Sequence, residues 1–240
     1  RAKLNADVLM NIEVQLPDIK EQNQLGDLFT HLDTLITLHQ RKCDQLKTIK
    51  KALLQKMFPK SGSSVPEVRF KGFSDAWEQR KLNSEVTSID TGKSKFTLNA
   101  LGEYEILGST SVIGYDNTYD YEGDFLLTAR VGANAGTLYR HSGKVKISDN
   151  TVFIQGNQLD FIYYALLNFD IKKLSFGTGQ PLVKASELKD QKLQMPSSQL
   201  EREKMGRCFC KIDNLITLHQ RKQLTNKMKY TYKKGKWNVN

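Results

Sequence analysis

At 240 residues with 36 Lys and Arg against 26 Asp and Glu, the chain carries a formal net charge of +10 and a pI near 9.4, the balance of a protein with a polyanionic partner. Its 39% hydrophobic content suffices for a buried core, and no apolar run approaches the roughly 18 residues that cross a bilayer. The opening Arg1-Ala2-Lys3-Leu4 is not a secretory leader, so the chain is read as cytoplasmic, with no membrane partner.

The first element is a long helix. Leu16-Pro17-Asp18 followed by Glu21 predicts an N-cap in which the Asp side chain takes a free amide and the Glu reaches back. Beyond it Leu25, Leu28, Leu32, Leu35, His39, Lys42, Leu46, Ile49 and Leu53 run three and four apart, with Phe29, Ile36 and Cys43 widening the stripe. No proline falls between Asp18 and Phe58, so the spacing predicts one amphipathic helix that packs along another helix.

Phe58 to Pro66 (FPKSGSSVP) has the composition of a linker. From about Glu67 to Gln194 the chain holds short β-prone runs separated by Gly, Asn and Asp. Examples are Tyr104 to Leu107, Asp124 to Thr128, Gly136 to Tyr139 and Asn150 to Ile154. One helix interrupts them, because Leu159, Ile162, Tyr163, Leu166 and Leu167 recur at helical spacing. The reading is a mostly β globular domain between two helices, an α+β fold.

The last element repeats the first. LITLHQRK at Leu35 to Lys42 returns unchanged at Leu215 to Lys222, with Asp33 and Asp213 two positions ahead of each copy. Met195-Pro196, Ser198, Glu201, Met205, Gly206 and Phe209 match the start of the first helix, so each copy starts a helix, and any antiparallel pairing of the two is expected to be firm near the repeats. After Lys222 the heptads give way to Asn226, Lys229 and Lys233, and the last dozen residues are expected to fray. Basic runs follow each copy: Arg41, Lys42, Lys47, Lys50, Lys51 after one, Arg221, Lys222, Lys227, Lys229 after the other.

Chemistry of its own is not evident. No phosphate-loop or H-E-x-x-H pattern occurs, and Cys43, Cys208 and Cys210 lack metal spacing and read as reduced packing residues. The four histidines are scattered, and Asp170 with Glu187 and Lys189 is too loose a set to read as a nuclease. No catalytic residue, metal site or cofactor is assigned. The candidates for contact with nucleic acid are Lys93 and Lys95, Arg130 and Asn134 in RVGANAG, Arg140 after it, and Thr178, Gln180 and Lys184 in SFGTGQPLVK. Arg and Lys can bond guanine edges or phosphates, and Asn or Gln can pair with adenine. Turns also need Gly and Asn for backbone reasons alone.

Three phrases carry a resemblance: PDIKEQNQLGDLFTHLDTLITLHQRKCDQLKTIKKALLQKMF, PEVRFKGFSDAWEQRKL, and GTGQPLVKASELKDQKLQMPS ahead of the second repeat. They resemble the specificity (S) subunit of type I restriction-modification systems over nearly the whole chain. The resemblance implies a target recognition domain at 67–196, a first conserved helix and linker at 18–66, a second conserved helix at 197–240, and at 1–17 the remnant of a preceding recognition domain. It implies that the two conserved helices form an antiparallel coiled coil that sets the distance between half-sites, and that double-stranded DNA is the ligand, with methyltransferase (M) and restriction (R) subunits as partners that do the chemistry. A complete member carries two recognition domains, so this chain is expected to be half a specificity subunit. Two copies paired through their helices would restore the layout. The lost heptads after Lys222 leave a second reading open, a truncated decoy that holds methyltransferase subunits without productive recognition.

Overall fold

The structure, a computed structural model, describes residues 15–175 and 181–236 together with Ala6, Met10, Asn11 and Glu13. Of Ser175 and of 229–236 it describes the backbone. The elements are α1 (Ile19–Met57), β1 (Glu78–Lys81), β2 (Ser88–Thr91), β3 (Tyr104–Leu107), β4 (Val112–Asp116), β5 (Tyr121–Ala129), β6 (Leu138–Ile147), β7 (Thr151–Gln155), α2 (Leu159–Phe169), α3 (Ala185–Asp190), β8 (Lys192–Met195) and α4 (Gln199–Lys236). The architecture is α+β, with two long helices and a mixed sheet, as the sequence implies. It divides into two units. One holds the described parts of Arg1–Lys47 and Asn214–Asn240; the other is Thr48–Asp213.

In the first unit the helices run antiparallel, and the repeat meets itself. His39 Nδ1 lies 3.0 Å from His219 Nδ1, 180 positions on, so the same residue of both copies shares one contact. An internal two-fold axis must pass there. The Cys43 thiol donates to the Ile216 carbonyl at 3.6 Å, and Gln223 donates to Gln40 at 2.6 Å. The buried seam departs in part from the heptad reading: Cys43, read as widening the stripe, is buried while Lys42 and Ile49 are exposed, and in the second copy Ile216 is buried where Leu215 was expected. An α-helix drifts about 20° per heptad against a strict 3.5 period, which moves the seam one residue on. The expected fraying falls on side chains outside the described residues; the backbone is helical to Lys236.

The His39–His219 contact carries a pH dependence. Desolvation lowers the His219 pKa, with His39, Lys222 and Lys42 adding like-charge repulsion. A histidine whose folded pKa lies below its unfolded one contributes stability above the unfolded value and loses it as pH falls through that value towards the folded one. The pair of helices is therefore expected to weaken as pH falls below about 6.5, read as helical ellipticity on melting. His219→Gln should flatten that profile, and an unchanged profile would remove the histidine pair as its cause.

Both helices start as the repeat requires. The Glu21 amide donates to Asp18 Oδ1 at 2.8 Å and the Glu201 amide to Ser198 Oγ at 3.4 Å, one orphan donor satisfied at each N-terminus. Glu201 does not reach back to its cap. Its carboxylate is buried and takes a bidentate pair of bonds from Arg69, at 2.6 and 2.8 Å.

In the second unit six strands form one sheet in the order β2-β7-β5-β6-β3-β4, antiparallel except that β3 runs parallel to β6. The sheet is coiled, and chain length proves it. Val145 of β6 pairs with Tyr121 at one end of β5, while Thr151 of β7 pairs with Ala129 at the other end. At about 3.3 Å per residue those ends lie roughly 26 Å apart on a flat sheet. Yet only Ser148–Asn150 separate β6 from β7, and three residues bridge at most about 14 Å. Gly123 and Gly143, opposed across β5 and β6 and with φ of 125° and 111°, supply the bend. Side chains are strained at such angles.

Coiling buries β5 on both faces. Phe125 and Leu127 pack inside the curl with Leu107, Val145, Ile147 and Phe153, while Leu126 faces the main core. That core joins the sheet to α2 and to the helix portions of this unit through Met57, Phe58, Trp77, Phe161, Tyr164, Met205 and Phe209. Gly206 lets α4 approach α2, since a Cβ there would lie 2.9 Å from that of Asp160. Tyr164 donates to Asp213 at 2.6 Å, and Lys50 bonds the same carboxylate at 2.6 Å. The segment read as a linker is fastened: the Trp77 amide donates to the Ser64 carbonyl and that of Val68 to Lys56. β1 pairs with β8, which draws the two ends of the sheet domain together.

Candidate nucleic-acid interface

Because the sheet coils, loops far apart in the chain gather on the β6–β7 turn, Ser148–Asn150. The Gly92 amide donates to the Thr151 carbonyl at 2.9 Å and that of Ser94 to Ile147 at 3.1 Å, seating the loop that carries Lys93 and Lys95. Gly92 is required there, since a Cβ would fall 2.3 Å from the Ser148 carbonyl oxygen. From β5 the Arg130 amide donates to the Asn150 carbonyl at 2.9 Å, and the Arg130 carbonyl accepts from Val183 at 2.8 Å. Ser109, at the tip of the β3–β4 hairpin, donates to the Asn150 carbonyl at 3.2 Å.

Five of the candidates share this rim. Lys93 and Lys95 are exposed on one loop, and Arg130 sits beside the turn with Nη1 donating to the Asp149 carbonyl at 3.2 Å. Asn134 is exposed in the tight turn that begins at Gly132, and Lys184 directly precedes α3. Arg140 is elsewhere. Its guanidinium lies 3.9 Å from the Tyr163 ring centre and 4.9 Å from that of Tyr164, 3.5 Å from Asp160 and 3.4 Å from the Cys210 sulfur. It packs β6 against α2, away from the loop rim. Thr178 and Gln180 lie outside the described residues.

Sequence reading passed over several contributors. Lys172 and Lys173, in a short 3₁₀ turn after α2, lie beside Gly136, whose missing Cβ would otherwise sit 2.9 Å from the Lys172 amide nitrogen. Gly136 of RVGANAG thus serves close packing of backbone within the domain, while Gly132 supplies the positive φ of 81° that its turn needs. Lys146 is buried and donates to the Lys95 carbonyl at 2.9 Å, with Asp116 at 3.5 Å and Asp120 at 3.9 Å. It fixes the lysine loop from beneath. No sequence signal marks a lysine as buried, since periodicity places Lys146 on a strand and its partners come from other loops.

The electrostatics suit an anion that can displace weak partners. Lys93 pairs with Asp90 at 3.2 Å and Lys184 with Glu187 at 3.3 Å, all four side chains substantially exposed. Such surface pairs contribute about 0–1 kcal/mol. The Thr91 amide holds the Asp90 carboxyl below its ordinary range, ahead of any effect of Lys93, so Asp90 keeps a partner when the lysine leaves. Among the described residues no cluster of three His, Cys, Asp or Glu could hold a metal ion, and no helix is long and apolar enough to cross a membrane.

Similarity to known proteins agrees with this geometry. The chain is 24% identical over 256 aligned positions to the MjaVIII type I restriction enzyme specificity subunit of Methanocaldococcus jannaschii, spanning 90% of this chain and 59% of the relative. Its fold matches the crystal structure of the type I restriction-modification S subunit from M. genitalium with TM-score 0.58 and 14% identity, over 87% of this chain and 56% of the other. The HsdS subunit from Thermoanaerobacter tengcongensis gives TM-score 0.54 and 17% identity, over 86% and 54%. The chain spans between half and three-fifths of the length of these relatives. With residues 74–228 matching the sequence profile described as the type I restriction modification DNA specificity domain, the chain belongs to that family.

Proposed function

We propose that this chain reads one half of a bipartite DNA sequence within a type I restriction-modification complex and places methyltransferase and restriction subunits on the duplex, while doing no chemistry itself. It would act in the cytoplasm. The reading takes residues 67–196 as the target recognition domain and 18–66 and 197–240 as the conserved flanks. The observation that carries it is the loop rim, where exposed Lys93, Lys95 and Lys184 stand on a backbone fastened to one turn. A rigid frame with loosely held cations meets phosphates without first paying to order its loops.

The helix pair supports docking of other subunits. Leu38 and Leu218 occupy one position of the two identical octapeptides, and both are exposed, by 48% and 44%. An apolar residue duplicated on a two-fold surface suits two copies of one partner, and the methyltransferase subunit is that partner in this reading. The same axis supports pairing of two copies of the chain, which would then read an inverted repeat. The lost heptads after Lys222, where Leu224 and Met228 are exposed, favour the second reading, a decoy that holds methyltransferase subunits unproductively.

Methylome sequencing of cells that express the chain with its methyltransferase subunit separates these. A new methylated motif is the expected result, palindromic if two copies pair. Capture of the methyltransferase with no new motif would favour the decoy and refute the recognition role.

A further inference from the structure

The turn at the centre of the rim has spent its backbone and kept its side chains. The Ser148 amide donates to the Leu107 carbonyl at 2.9 Å, and its hydroxyl lies 3.1 Å from that of Thr151. The Asp149 carbonyl is taken by Arg130 Nη1 at 3.2 Å, and the Asn150 carbonyl by the Arg130 amide at 2.9 Å and by Ser109 Oγ at 3.2 Å. The Asp149 carboxylate and Asn150 carboxamide are exposed and bond to no described residue. Among the other charged groups of the rim, Lys93 and Lys184 hold acidic partners and Arg130 is committed to the turn.

Reading an adenine bidentately requires a donor and an acceptor on one side chain, carried on a well-supported backbone. The carboxamide of Asn150 offers both groups, and the backbone that carries it is pinned by three loops. We infer that Asn150 is a base-reading residue, bidentate to the N6 and N7 positions of an adenine in the major groove, and that Arg130 is a positioning residue acting through this turn. The inference rests on the proposed function and names the specificity determinant of the same site. Arg130, whose residue type suggests a guanine or phosphate contact, here holds the reader and does not read.

The test uses the full chain with its methyltransferase subunits and selection from randomised duplexes, scored by base preference at each position and by the salt slope of binding. Asn150→Ala should lose preference for adenine at one position by roughly 5- to 150-fold, the discrimination of one bidentate contact, with the salt slope unchanged. Asn150→Asp, which keeps the shape and removes the donor, should move that position towards cytosine, whose N4 donates to a carboxylate. Arg130→Gln should relax the same position alone and also leave the slope unchanged, and Arg130→Lys should restore part of the preference. A slope shallower by about 0.9 for Arg130→Gln would make Arg130 a phosphate contact and overturn its assignment. Full preference retained by both Asn150 variants overturns the reader. The Lys93→Gln/Lys95→Gln variant separates the two levels: if it binds as the parent does, the rim itself is not the interface; if it weakens while the Asn150 variants are silent, only the present inference falls.

Discussion

Glu201→Ala is expected to cost about 3–5 kcal/mol of stability, the penalty for leaving one charge of a buried pair uncompensated. The carboxylate has 1% of its side chain exposed and Arg69 has 12%, and their two bonds are short, at 2.6 and 2.8 Å. Arg69 cannot shed its proton to escape, and Glu201 raises its pKa further through the hydrogen bonds it accepts. Removing the acid strands a guanidinium whose Nη1 is already buried without a partner among the described residues. At about 2–4 °C per kcal/mol for a unit of this size, thermal melting should drop by roughly 6–20 °C. The double variant Arg69→Met/Glu201→Met should recover much of the loss, because an apolar pair of similar volume can replace a buried ion pair at little net cost. A single variant melting within a degree or two of the parent would show that the pair stabilises nothing.

That pair also marks what a sequence can show. The two copies were legible as helices because proline, cap and apolar period coincide in each, and Asp18 and Ser198 cap them as expected. The departure at Glu201 was not legible, because its partner lies 132 residues away in a phrase whose Arg69, Phe70 and Trp77 serve the core. The strand-prone runs at Tyr104 and Asn150 became β3 and β7. The coil of the sheet escaped notice because Gly123 and Gly143 bend it only when opposed, and register is not written in composition. Arg140 shows the same limit: its charge is plain from the chain, while Tyr163 and Tyr164 beneath it are brought there by α2. Asn150 was read only as the start of a strand-prone run and Asp149 was given no role, because a turn alone explains both residue types.

Binding of duplex DNA should be steep in salt, and the rim says how steep. Lys93, Lys95, Lys172, Lys173 and Lys184 are exposed on loops seated around one turn or beside it. Neutralising about five phosphates gives a slope near −4.5 in log K against log salt, a loss of several hundredfold between 50 and 200 mM. The exchange of partners is cheap. Lys93 leaves an Asp90 whose carboxylate is held by a backbone amide, and Lys184 leaves an exposed Glu187. The buried Lys146 has the opposite role, since its ammonium is committed to the Lys95 carbonyl beneath the loop and cannot reach a phosphate. Lys93→Gln/Lys95→Gln should therefore flatten the slope by about 1.8 and weaken every sequence alike. Lys146→Met should lower affinity by disordering the loop while keeping the slope of the remaining cations. Equal slopes in parent and double variant, measured by fluorescence anisotropy across that salt range, would place the phosphate contacts on another surface.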